Sequence, residues 1–184
     1  MLRCHHQRRL PDFTDLSERA ASDGVHFTVR RLNEATITAG LNHVASLKPL
    51  RRKPASKKAG GMQLRNRGVF LSDGVLFFKL EVTNDSPVAY EVDFARCYQR
   101  DRRQSKRTSR LEKEITPLQT NVQPGLGVKE LSGAIPIVFA FEKFTISDSK
   151  YFMIELFEKN GDRHMSLKIK GTDILKARPL LLAR

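Results

Sequence analysis

Tyr151-Phe-Met-Ile-Glu-Leu-Phe-Glu-Lys-Asn160-Gly-Asp-Arg-His-Met-Ser-Leu-Lys-Ile-Lys170 is the stretch from which the fold is most readily read. Asn160-Gly161 suits a two-residue type I′ hairpin turn, in which both central residues take positive φ. Counting outward from it pairs Glu158 with Arg163, Leu156 with Met165, Ile154 with Leu167 and Phe152 with Ile169. Apolar residues meet apolar residues, and an opposite-charge pair closes beside the turn. Side chains alternate across a strand, so a slip of one residue would set every apolar group against a polar one. The same count puts His164 across from Phe157 on the other face.

Upstream the alternation continues. Leu76, Phe78, Leu80 and Val82 share a face, with Lys79, Glu81 and Thr83 on the other. After a turn at Asn84-Asp-Ser-Pro87, Val88, Tyr90, Val92 and Phe94 alternate with Glu91 and Asp93. These two runs predict an antiparallel hairpin with one buried face. Ile135, Ile137, Phe139 and Phe141 supply a further strand. Short strands in series, with no helix between them, predict an all-β, immunoglobulin-like β-sandwich over residues 63–178. Asp173 to Ala177 reads as a short helical turn, and residues 179–184 as a tail.

The N-terminal side reads differently. Residues 1–47 suggest a mostly irregular, short-helical extension. Asp15 and Glu18 form a capping-box variant and Gly24 a stop, predicting a helix over 15–22. Val25 to Val29 alternates as a strand. Asn33 to Leu47 is a second helical stretch, against which Thr36, Ile37 and Gly40 count. Residues 48–62 have the basic, Pro/Gly-rich composition of a linker.

The chain has 184 residues, 33 Lys and Arg against 20 Asp and Glu, and formal net charge +13. That length suits one core with extensions. No apolar run approaches the ~20 residues of a membrane helix. Two cysteines without a CxxC exclude a zinc ribbon and a disulfide scaffold. Met1 to Leu10 has basic residues but no apolar region of a signal peptide behind them. Nearly all the excess charge sits in two segments, 48–58 and 96–110, each net +6.

Phe94-Ala-Arg-Cys-Tyr-Gln-Arg-Asp-Arg-Arg-Gln-Ser-Lys-Arg-Thr-Ser109 and Glu112-Lys-Glu-Ile-Thr-Pro-Leu118 closely resemble the TraN family, conjugative-transposon transfer proteins of Bacteroides and its relatives. Phe77 to Asn84, Val138 to Ile146 and Glu158 to His164 follow in the family's order, so the resemblance covers about residues 63–178. It implies a structural part of a type IV secretion-like conjugation apparatus in the cell envelope, on the periplasmic side of the outer membrane. It also implies that this β domain ends a longer chain. The family normally begins with an export signal and a further domain, so Met1 to Arg9 reads as a truncated or mis-assigned start, or a remnant. Cys97 stands where the resemblance favours a larger apolar residue.

Arg96, Arg100, Arg102, Arg103, Lys106, Arg107 and Arg110 form the candidate interaction patch, with Asn160, Gly161 and Arg163 as a candidate hairpin tip. The basic segment admits three readings: a solvated loop with stems over apolar surface, a dock for an acidic protein, or a phosphate-binding patch. Tyr98 is the run's only aromatic, which counts against base stacking. Residues 48–58 read as a soluble linker, or as a polybasic lipid contact if the chain is tethered. The histidines lack ligand spacing, and Cys4 and Cys97 read as free thiols. Gly125-Leu-Gly127 opens no helix and is no phosphate loop. Hydrolase and zincin motifs are absent, and Glu112 and Glu114 sit beside dense positive charge, which suits ion pairing better than acid catalysis. The expectation is a non-catalytic scaffold without cofactor or metal. Its partners would be other conjugation proteins or a second copy, with DNA binding through 96–110 as the alternative.

Overall fold

The computed structural model describes residues 33–50, 55–102, 112–122, 126–128 and 134–181. The chain divides into two units, Met1–Arg31 and Leu32–Arg184, and every described residue belongs to the second. The expected helix at 15–22 and strand at 25–29 lie outside the described residues.

The described elements are α1 (Glu34–Ser46), β1 (Ser56–Ala59), β2 (Met62–Ser72), β3 (Val75–Asn84), β4 (Tyr90–Asp101), β5 (Glu112–Glu114), β6 (Gln119–Thr120), β7 (Leu126–Val128), β8 (Ile135–Glu142), β9 (Lys150–Glu158), β10 (Met165–Lys170), α2 (Gly171–Leu175) and β11 (Arg178–Pro179). They form a β-sandwich. One sheet runs β1-β2-β3-β8-β6, with β11 also on β2. The other runs β10-β9-β4-β5, with β7 also on β4. The pairings are antiparallel except that of β11 with β2.

The register of β9 and β10 is the one read from the sequence: Leu156 with Met165, Ile154 with Leu167, Phe152 with Ile169. These six residues, with Leu76, Phe78, Leu80 and Val82 of β3 and Ile137, Phe139 and Phe141 of β8, lie in the core between the sheets. Phe78, Phe141 and Phe152 pack edge-on or tilted at 5.1–5.5 Å between centroids. Each fully buried side chain of this size contributes about 1.5–3 kcal/mol from water removal alone.

Four expectations are corrected. First, β3 and β4 make no hairpin, because they belong to different sheets. The Asn84 side chain is buried and acts as a pivot. Its Nδ2 donates to Val88 O at 2.8 Å, and its Oδ1 accepts from Ser86 N at 3.0 Å and Ser86 Oγ at 2.7 Å. With these bonds made locally, the link carries the chain across the sandwich. Second, β3 is buried on both faces. Val75 and Phe77 point outward into a second core with Ile37, Leu41 and Val44 of α1, Phe70 and Val138.

Third, residues 56–59 of the compositional linker form β1. Gly60 and Gly61 (φ 54 and 75) close it onto β2 with Ala59 opposite Met62. Two successive residues with positive φ are what a type I′ turn needs and what glycine supplies at least cost. Fourth, Val88 and Phe94 do not share the buried face of Tyr90 and Val92: they are 62% and 51% exposed. A bulge between Val92 and Phe94 reverses the alternation, so Ala95 and Cys97 point inward instead. At the C-terminus, part of the expected tail is also ordered. Leu180 is buried, and its amide donates to Leu71 O at 2.8 Å.

Helix α1 begins as its sequence directs. Asn33 Oδ1 accepts from Ala35 N at 3.1 Å, and Glu34 occupies the first turn. Ile37, Gly40, Leu41 and Val44 form its buried stripe. Gly40, which weakens the helix reading, is where the helix meets the sheet: a Cβ there would lie 2.6 Å from Cζ of Phe77. Lys79 is also buried, and its Nζ donates to Ala45 O at 2.7 Å and to Leu47 O, satisfying carbonyls at the helix end. Burial lowers its pKa, with Glu81 opposing.

Candidate interaction face

Sheets alternate side chains, so the residues of β4, β9 and β10 that miss the core share the outer face of the five-stranded sheet. Past the bulge these are Phe94, Arg96, Tyr98 and Arg100 on β4. Register sets Phe94 beside Phe157, Arg96 beside Glu155, Tyr98 beside Met153 and Arg100 beside Tyr151. On β10, Ser166, Lys168 and Lys170 complete the rows opposite Glu155, Met153 and Tyr151.

The two ends of this face differ. At one end Phe94 and Phe157 stack at 4.4 Å between centroids and 10° between planes, and His164 lies 4.8 Å from Phe157, on the side expected from the sequence. At the other end Tyr151 lies between two cations, with Arg102 Cζ 5.4 Å and Lys168 Nζ 5.3 Å from its centroid. Between them Tyr98 donates to Glu155 Oε1 at 2.8 Å. Burial, then this bond, pushes its pKa up to about 12. Arg96 and Arg100 face Glu112 of β5 at 3.5 and 3.8 Å. Exposed pairs of this kind contribute about 0–1 kcal/mol and mainly hold the side chains in place.

Of the candidate patch, Arg96, Arg100 and Arg102 therefore lie at this face. Arg102 also anchors the strand end, donating from its backbone N to Ser149 O at 2.7 Å and from Nη1 to Asp148 O at 2.9 Å. Arg103, Lys106, Arg107 and Arg110 lie outside the described residues. Tyr151 and Lys168 are not among the sequence candidates, and Phe157 stands there only as the residue opposite His164. The signal for them lies in the outward alternation of β9 and β10.

The candidate hairpin tip is built otherwise than its sequence suggests. Only Asn160 has positive φ (54) there, so the turn is not type I′. The β9–β10 ladder starts at Leu156 and Met165, leaving Glu158 and Arg163 outside it. The Glu158 carboxylate replaces the ladder contact, accepting from Arg163 N at 3.1 Å, from its Nε at 2.9 Å and from Nη2. Arg163 also donates from Nη1 to Ser86 Oγ at 3.0 Å and Val88 O at 3.2 Å, and from Nη2 to Ala89 O at 2.7 Å. Its guanidinium lies 5.5 Å from the centroid of Tyr90, whose hydroxyl donates to Leu156 O at 3.3 Å. Arg163 thus ties the inter-sheet link to the β9–β10 turn. Its hydrogen bonds hold the pKa of Glu158 below the usual carboxylate range. Gly161 is needed for space: a Cβ there would sit 2.2 Å from Glu158 Oε2.

Cys97 is buried among apolar side chains, and its thiol is pushed up to about 12, first by burial and then by Glu114. This is an inert environment. Among the described residues no three His, Cys, Asp or Glu side chains gather to hold a metal ion, and no helix is long and apolar enough to cross a membrane.

No curated protein matches the chain. A family model described as a domain of unknown function, DUF4138, matches residues 37–179, from within α1 to β11. The match takes in both layers of the sandwich and the helix on it, well over half of the chain, and the chain belongs to that family.

Proposed function

We propose that the domain is a non-catalytic scaffold component of a conjugative transfer apparatus in the cell envelope, acting through protein–protein contacts. One observation supports this reading: the described part of the segment on which the TraN resemblance is most specific, residues 94–102, places alternate residues on the outer face of the five-stranded sheet. Phe94 is half exposed there, and Arg96 and Arg100 stand in the next outward rows. Phe94 stacks on Phe157, and an aromatic pair beside arginine rows has the composition of a protein-contact surface. Partners would be other transfer proteins or a second copy.

The test is a tagged full-length chain in its own host. Cross-linking should recover envelope transfer proteins, and deleting the gene should lower conjugation frequency. Recovery of none, with normal conjugation in the deletion strain, overturns the reading. The alternative is nucleic-acid binding through the basic 96–110 segment. It predicts DNA affinity that falls steeply from low to moderate salt and disappears when Arg102, Arg103, Lys106 and Arg107 become Ala. Absent or salt-insensitive binding removes it.

A further inference from the structure

The rows of the open face form a gradient from apolar to cationic, and the gradient constrains what fits on it. The Phe94–Phe157 end offers a stacked aromatic edge with Phe94 half exposed. Its charged neighbours are Glu91 and Asp93 on β4, Lys159 in the β9–β10 turn and, one row further along β4, Arg96, which faces Glu112 at 3.5 Å. Lys159 Nζ is paired with Glu91 Oε1 at 2.8 Å, which leaves Asp93 and a local balance on the negative side. At the Tyr151 end stand Arg102, Lys168 and, one row out, Lys170. Among the described residues no carboxylate lies within ion-pair distance of Arg102 or Lys168, and the Tyr151 ring between them holds both heads in place. From Phe157 to Tyr151 the strand advances six residues, roughly 20 Å.

We infer that this face binds an acidic segment of a partner protein in extended conformation. An apolar side chain would sit against Phe94 and Phe157. Two or more carboxylates about six residues along would meet Arg102 and Lys168. This rests on the reading of the domain as a protein-binding scaffold and adds the surface and the chemistry of the partner. Charge complementarity chooses the occupant. A nucleic acid carries its charge evenly and would meet Asp93 and Glu91 at one end and Glu155 in the middle. A peptide can place its apolar and acidic groups at separate ends. Arg102 and Lys168 on an aromatic ring are positioned to bind carboxylates without first breaking an ion pair to a described residue.

The test is selection of the full-length chain against a displayed library of random 16-residue peptides. In parallel, fluorescence anisotropy is measured with the selected peptides and with a 16-nucleotide oligo-dT. The expected consensus has an aromatic or large aliphatic residue with at least two Asp or Glu five to seven residues away. Phe94→Ser should weaken binding of the selected peptides at least tenfold. So should the double variant Arg102→Glu with Lys168→Glu, which leaves the aromatic stack untouched and so reports on the cationic end should Phe94→Ser misfold. A consensus without acids, or peptides that bind the double charge variant as well as the wild type, overturns the inference. Tighter binding of oligo-dT than of any selected peptide overturns it in favour of nucleic acid. If both variants still recover transfer proteins in cells, this face is wrong while the scaffold reading stands. Loss of the scaffold reading itself is read from the deletion strain.

Discussion

The two outer faces of the sandwich have opposite fates. On one sheet, Val75, Phe77, Phe70 and Val138 point outward into a second core under α1, and Lys79 runs beneath the helix end to bond its carbonyls. On the other, the outward residues of β4 alternate aromatic with charged groups, those of β9 run Tyr151, Met153, Glu155 and Phe157, and Phe94 stays half in water. The difference lies in what stands between the apolar residues. Val75 and Phe77, separated only by Leu76 of the inner face, are too apolar to leave in water, so the chain supplies a helix. Arg96, Glu155, Arg100 and Lys168 set charged groups among the aromatics of the other face, whose middle row, Tyr98 and Met153, is buried while Phe94 at one end stays half exposed.

The contrast can be broken most severely under the helix. Phe77→Ala should cost about 3–5 kcal/mol of unfolding free energy, because the cavity lies between two packed layers. Urea denaturation checks it, and a loss below about 1 kcal/mol would show that α1 is not part of the core. Arg163→Ala, at the join between the sheets, should cost about 2–4 kcal/mol by stranding a largely buried carboxylate. Arg163→Lys should recover only part, since a lysine lacks the fork that reaches Glu158, Ser86 and Ala89 together.

The same join has a pH signature. The folded pKa of Glu158 is depressed. Its contribution is therefore complete above the unfolded carboxylate value of about 4.3 and is lost as pH falls through the lower folded value. Glu158→Gln should remove that part of the acid dependence, seen as a flatter stability profile below about pH 4.3.

Gly40→Val should cost about 1–3 kcal/mol by pushing α1 off Phe77, visible as faster amide exchange in the helix. The smallest effects belong to the open face. Phe94→Ser should cost no more than about 1.5 kcal/mol, the worth of one aromatic pair. Arg102→Ala with Lys168→Ala should cost about 0.5–1.5 kcal/mol in thermal melts, chiefly the hydrogen bond from Arg102 to Asp148 O. If these surface changes proved as damaging as Phe77→Ala, the open face would be a structural one after all.

Much of this was legible before the structure. The β9–β10 register followed from counting outward from Asn160-Gly161 with apolar matching as the check, and it held although the turn is not type I′; the inward positions of β3 and β8 followed from alternation. The Asn33 cap and the stripe of α1 were readable, but Gly40 obscured them, because its role lies in a contact with Phe77 that is remote in sequence. The basic patch was legible as charge and not as a site. Its described members Arg96, Arg100 and Arg102 gain meaning from Tyr151, Phe157 and Lys168 on two other strands, and spacing along the chain does not report neighbours across a sheet.

By itself the sequence determined which residues alternate, how the last two long strands pair and that the fold is a β-sandwich, because these depend on periods of two and on neighbours a few residues away. Only the tertiary structure decided that β3 and β4 part into different sheets, that Gly60-Gly61 and Asp73-Gly74 and not Asn160-Gly161 make tight turns with two positive-φ residues, and that Arg163 is turned inward as a tie. Those outcomes depend on where buried polar groups such as Asn84 and Glu158 find their partners. Such groups must be satisfied wherever the packed chain brings a partner within reach, however far away it lies in sequence.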